Sequence, residues 1–90
     1  MTINRSDKPI RLSTHAERYL ERRGFTAAEV EQTIRQAPWR TARKRRMECT
    51  RDFAYNAIWN GRRYATKRVR PIFVEEEHEI VVVTGITYYF

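Results

Sequence analysis

Met47-Glu48-Cys49-Thr50-Arg51-Asp52-Phe53-Ala54-Tyr55-Asn56-Ala57-Ile58-Trp59-Asn60-Gly61-Arg62 sets a period of two. Met47, Cys49, Phe53, Tyr55, Ala57 and Trp59 alternate with Glu48, Thr50, Asp52 and Asn56, the pattern of a half-buried strand. Arg51 interrupts the apolar set, so the strand is expected to bend. Asn60-Gly61 suits the two positive φ angles of a type I′ turn and predicts a hairpin. The return strand starts at Arg62 and runs through Tyr64, Thr66, Arg68 and Val69 to Pro71, whose missing N–H predicts an edge position or a bulge. Ile72-Phe73-Val74 continues the extended chain. Beyond the acidic turn Glu75-Glu76-Glu77-His78-Glu79, residues 80–86 are nearly continuous apolar and β-branched, as in a strand central to a sheet or covered on both faces. Thr87-Tyr88-Tyr89-Phe90 follows directly.

Upstream the period is helical. Thr14 with Glu17, and Thr26 with Glu29, match the capping-box pattern, while Gly24 and Pro38 mark the two helix ends. In the first helix Ala16 and Leu20 point inward and Glu17 and Glu21 outward, and His15, Arg18 and Arg22 share one stripe bordered by Tyr19. In the second, Ala27, Val30, Ile34 and Ala37 line one face. The two are expected to form a tight αα-hairpin around Gly24-Phe25. Residues 1–9 are polar and read as frayed, Ile10-Arg11-Leu12 leads into the first helix, and residues 40–46, five like charges in seven positions, read as a solvated loop. Ninety residues support one domain with a single modest core. The predicted fold is α+β, with two N-terminal helices packed on one face of a three- to four-stranded antiparallel sheet.

The charge balance narrows the partners. Eighteen Lys+Arg against eleven Asp+Glu give +7, and four of the acids lie within Glu75 to Glu79, leaving seven acids against all 18 bases, a net of +11, on the rest of the chain. A segregated positive field of this size points to a polyanion, with RNA or an acidic protein as the expected partner. A membrane partner is not expected, because no 18-residue apolar run or signal-peptide core occurs. The single Cys49 excludes an internal disulfide and reads as a small buried hydrophobe in a reducing, cytoplasmic setting. His15 and His78 lack ligand spacing, so neither a metal nor a cofactor is predicted.

These residues also carry a resemblance. His15-Ala16 with Arg18, the stop Arg22-Arg23-Gly24-Phe25, the helix exit Ile34-Arg35 with Pro38-Trp39, Phe53 with Trp59-Asn60-Gly61, and Tyr64 with Lys67 belong to it. So do Val69-Arg70-Pro71-Ile72-Phe73-Val74-Glu75, Ile80-Val81-Val82-Val83-Thr84 and Tyr88-Tyr89-Phe90. Across residues 10–90 the chain resembles the bacterial family catalogued as domain of unknown function 4258. The resemblance implies a likeness to small ribonuclease toxins of RelE-like and barnase-like fold, which cleave RNA without metal and are restrained by an acidic antitoxin. Gly85-Ile86 departs from the family, whose last strand carries bulkier residues there.

Metal-independent RNA cleavage uses the ribose 2′-hydroxyl as nucleophile, so the protein must supply a base, an acid for the departing 5′-oxygen and positive charge for the phosphate. His15 is the predicted base, because the helix N-terminus and neighbouring cations favour its neutral form. Arg18 and Arg22 are read as the phosphate clamp, and Lys67 and Tyr88 as the candidate acids. Arg43, Lys44, Arg45 and Arg46, with Arg68 and Arg70, are the predicted phosphate contacts, and Tyr64 the base-stacking residue. Trp39 and Trp59 read as packing, Thr84 as buried among valines, and His78 as a turn residue. The expected function is RNA cleavage by transesterification. The alternatives are a noncatalytic RNA-binding module and a basic domain that docks an acidic chain.

Overall fold

The computed structural model describes residues 7–90. Within them the order is β1 (Ile10–Leu12), α1 (Thr14–Arg23), α2 (Ala27–Gln36), β2 (Arg40–Thr41), β3 (Met47–Glu48), β4 (Arg51–Trp59), β5 (Arg62–Glu75) and β6 (Ile80–Tyr89). The class is α+β with two helices, as expected, but the sheet has six strands. The additional strands are two or three residues long, too short for an alternation to register. β1, expected only to lead into α1, pairs in parallel with β6 through Ile10–Ile80, Arg11–Val81 and Leu12–Val82. The expected frayed segment lies outside the described residues for positions 1–6. Lys8 is not frayed, since its ammonium meets Glu75 at 3.1 Å and the carbonyl of Glu76 at 2.9 Å. Pro9 accepts a hydrogen bond from the Ile80 N–H.

β5 is the spine. One edge carries β6 from Lys67 to Glu75, and the other carries β4 up to Val69 and β3 from Ile72. The strand read as continuous from Met47 is therefore interrupted at Cys49-Thr50. Pro71 falls opposite that interruption, between two ladders, which accounts for a proline inside a central strand. Asn60 and Gly61 both have positive φ (50° and 79°), as the hairpin turn predicts. The register slips between Ala54 and Ala57, with Asn56 at φ 47°, so the predicted bend is a β-bulge. Residues 40–46 are only partly a loop, because β2 pairs with β3 through Arg40–Glu48 and Thr41–Met47 and a single 3₁₀ turn spans Arg43–Arg45.

The Thr26–Glu29 capping box forms in both directions. The Thr14–Glu17 box does not. Ser13 caps α1 instead, accepting from the Ala16 N–H while its hydroxyl donates to the Val83 carbonyl on β6, a tertiary bond Thr14 is not placed to make. α1 lies over β6 and α2 over β5. Ala16, Phe25, Val30, Ile34, Val69, Phe73, Ile80 and Val82 form the core between helices and sheet, and Trp39 closes its edge against Phe73. Cys49 is buried there as read, and burial pushes its thiol up to about 12, far from a nucleophile.

Two glycines admit the helical layer. Gly85 stands where a Cβ would come within 2.7 Å of the Phe25 ring, so the missing side chain lets Phe25 lie on the sheet. Gly24, at φ 74°, ends α1, and a Cβ there would fall 2.0 Å from the Tyr89 hydroxyl. Its carbonyl accepts from Lys67 at 3.0 Å and from the Tyr89 hydroxyl at 3.2 Å. Gly24→Ala combines left-handed strain of about 1–2 kcal/mol with overpacking of about 1–3 kcal/mol. It is expected to lower unfolding free energy by about 2–5 kcal/mol in urea titrations, whereas Gly61→Ala meets no neighbour and loses only the backbone part.

Tyr89 gives the fold an alkaline limit. Burial, with Tyr55 and the Glu29 carboxylate nearby, raises its phenol from 10.0 to about 12. The unfolded phenol ionises first, so its contribution is complete below about pH 10 and is lost as pH rises to about 12. Denaturant midpoints across that window should fall more steeply for the wild type than for Tyr89→Phe, and parallel curves would contradict the assignment.

Candidate nucleic-acid interface

Alternation along β5 sends Lys67, Val69 and Phe73 into the helical layer and Arg68, Arg70 and Ile72 to the opposite side. No helix among the described residues covers that side. Register adds Asp52 from β4 and Tyr88 from β6 beside Arg68, Ile86 beside Arg70, and Glu48 from β3 beside Ile72. The face is ordered by charge-assisted hydrogen bonds. Arg68 forks onto Asp52 at 2.6 and 3.1 Å, and that hydrogen bond holds the Asp52 carboxyl below its ordinary value. Arg70 donates through Nε and Nη2 to one oxygen of Glu48, and through Nη1 to the Tyr88 hydroxyl at 3.2 Å. One guanidinium thus holds a carboxylate on one side and a phenol on the other.

Beside this arrangement the β2–β3 hairpin folds over to make a cleft of about 680 Å³, lined by Arg43, Lys44 and Arg46 with Glu48, Arg70 and Ile72. Lys44 and Arg45 both adopt positive φ (60° and 62°), which turns the chain sharply enough to bring the Arg46 N–H onto the Arg43 carbonyl. Arg45 lies outside the cleft lining. Arg43, Lys44, Arg45 and Arg46 form no ion pair among the described residues, so their charge remains available to an incoming anion. At the opposite end Tyr88 and Phe90 are 42% and 54% exposed, and the Arg68 guanidinium lies 5.0 Å from the Phe90 ring. Cations and aromatic faces therefore run side by side across one surface.

The expected catalytic set does not assemble. His15, Arg18 and Arg22 do share a stripe, and with Tyr19 they line a hollow of their own. Lys67 is not beside it. It is 7% exposed and sits at the other end of α1, about 13 Å along the helix from His15. There its ammonium is bound by Glu29 at 2.8 Å and by the Gly24 carbonyl, with the Tyr55 ring 5.3 Å away. It is a buried anchor, not an exposed proton donor. Tyr88 faces away from the helices and therefore away from His15. Tyr64, read as a stacking platform, instead packs in an aromatic group where Tyr55, Trp59 and Tyr64 lie 5.1, 5.0 and 5.6 Å from Tyr89.

Glu48, Asp52 and Phe90 were missed. The first two occupy the polar phase of the alternation beginning at Met47, so their side of the strand is legible, but not the register that sets them against Arg70 and Arg68. No family model matches the chain, and comparison with curated proteins and with solved structures gives no similar protein. Among the described residues no helix is long and apolar enough to cross a membrane.

Proposed function

We propose that the protein binds single-stranded RNA across the uncovered face of its sheet. The observation that carries this reading is the convergence of Arg43, Lys44, Arg46 and Arg70 on one cleft of the same sheet face that exposes the rings of Tyr88 and Phe90. Guanidinium and ammonium groups hold backbone phosphates, and aromatic faces take unpaired bases at about 1–3 kcal/mol each. Affinity for a short single-stranded RNA should fall steeply between about 50 and 200 mM salt. Replacing Arg43, Lys44, Arg45 and Arg46 together by Ser should flatten that slope without lowering thermal stability, because none of the four is buried. A salt-independent affinity in the wild type, or an unchanged slope in the variant, would reject the site.

A second reading, cleavage of the bound strand, is favoured by the bridge from Glu48 through Arg70 to Tyr88. In this reading Glu48 takes the proton of a ribose 2′-hydroxyl and the 2′-oxygen attacks the adjacent phosphorus. Arg70 stabilises the charge gathering on the phosphoryl oxygens. The bond from phosphorus to the 5′-oxygen breaks, and Tyr88 protonates the departing oxygen. The products are a 2′,3′-cyclic phosphate and a 5′-hydroxyl, and the proton on Glu48 returns to the Tyr88 phenolate through solvent. Glu48→Gln and Tyr88→Phe should each slow cleavage of a fluorescent RNA by about 10² to 10⁴, with RNA affinity retained. Tight binding by the wild type without cleavage would leave the binding function and discard this second reading.

A further inference from the structure

α1 carries a second basic cluster that the uncovered sheet face does not use. His15, Arg18, Tyr19 and Arg22 line a polar hollow of about 340 Å³ on the exposed side of the helix, on the opposite side of the molecule from the Arg43–Arg46 cleft. No carboxylate lines it, and Arg18 and Arg22 form no ion pair among the described residues. Glu17 and Glu21 occupy the neighbouring stripe, so the helix sorts its charges into like pairs at i and i+4. That arrangement destabilises a helix where alternation would have supported it. The hollow offers no platform for a base, because the Tyr19 ring is already engaged by His15 at 4.6 Å and by the Arg23 guanidinium at 4.4 Å.

We propose that this hollow is a binding site for a phosphate monoester. Two guanidinium forks with no competing carboxylate suit a dianion, and the imidazole and phenol add hydrogen bonds at its rim. A phosphodiester carries a single charge and a substituent on each side, so it offers two guanidinium forks fewer free oxygens than a terminal dianion does. The monoester can be a free small metabolite or the 5′-phosphate of a nucleic-acid strand, and both present the same group. The site stands independently of the RNA cleft, since it shares no residue with it.

The two histidines make the test internal. His78 is exposed in the acidic turn, 3.7 Å from Glu77, and serves as the reference. Imidazole NMR signals of the full chain are followed while inorganic phosphate replaces chloride at constant ionic strength. His15 should shift saturably and His78 should not. Equal or unsaturating shifts of both would reduce the effect to screening and overturn the proposal. Arg18→Gln with Arg22→Gln, helix formers of similar propensity, should weaken the response about tenfold while circular dichroism is unchanged, and an unaltered response would equally overturn it. Glycerol 3-phosphate and a 5′-phosphorylated dinucleotide should both reproduce the His15 shift, which identifies the shared group. A 5′-hydroxyl dinucleotide, which carries only a diester, should not, and an equal shift with it would refute monoester selectivity.

Discussion

The architecture depends on where the Lys67 ammonium is held. A lysine on a central strand survives burial only if its charge is answered, and here Glu29 answers it at 2.8 Å while the Gly24 carbonyl accepts a hydrogen bond from another of its N–H groups. Glu29 also closes the capping box of α2, and Gly24 is the left-handed cap of α1, whose carbonyl receives the Tyr89 hydroxyl as well. The end of one helix, the start of the next and strands β5 and β6 therefore meet at one ammonium. Losing one partner of such a pair costs about 3–5 kcal/mol when the other is fully buried. Glu29 keeps a fifth of its side chain in solvent, so the cost of removing Lys67 lies toward the lower figure.

That junction also fixes which side of the sheet is free. With both helices seated on the Lys67 side, the Arg68–Arg70 side stays uncovered, and its polar groups satisfy one another across strands. Arg68 with Asp52 and Arg70 with Glu48 bridge neighbouring strands, as charge pairs on a solvated sheet face do. These arginines are preorganised more than they are free. The loop cations of residues 43–46 supply the unpaired charge, and the sheet supplies the rigid floor. Arg23 seals a different vulnerability by donating to the Gly85 carbonyl at 2.7 Å and to the Thr84 hydroxyl, both on β6 beyond its pairing with β1.

Features written in adjacent residues were legible. Asn60-Gly61 specified its turn and Thr26–Glu29 its box, because each needs only local backbone geometry. Alternation from Met47 separated the wet side of the strand from the dry one. Features resting on distant partners were hidden. Ser13 and Thr14 are equally able to cap, and the choice falls to Ser13 through its bond to Val83. Lys67 reads as a candidate acid because nothing near it in sequence announces Glu29. The role of Gly85 has no local signal, because the Phe25 ring that occupies its space is distant in sequence. For the site, the basic segment 43–46, Arg68, Arg70 and Tyr88 were read as participants, and all but Arg45 lie on the uncovered face or its cleft. His15, Arg18 and Arg22 were read into the same centre, yet local periodicity fixes only their helical stripe, not the side of the sheet it faces.

The central claim is that the face opposite the helices receives RNA. Its most direct measurement is a map of backbone amide shifts in the full chain as a short unstructured RNA is added at low salt. The account predicts that perturbations gather at residues 43–48 and around Arg68, Arg70, Ile86 and Tyr88, with Ala16, Val30 and Ile34 unmoved. Shifts concentrated on α1 and α2, or an unchanged spectrum at saturating RNA, would contradict it.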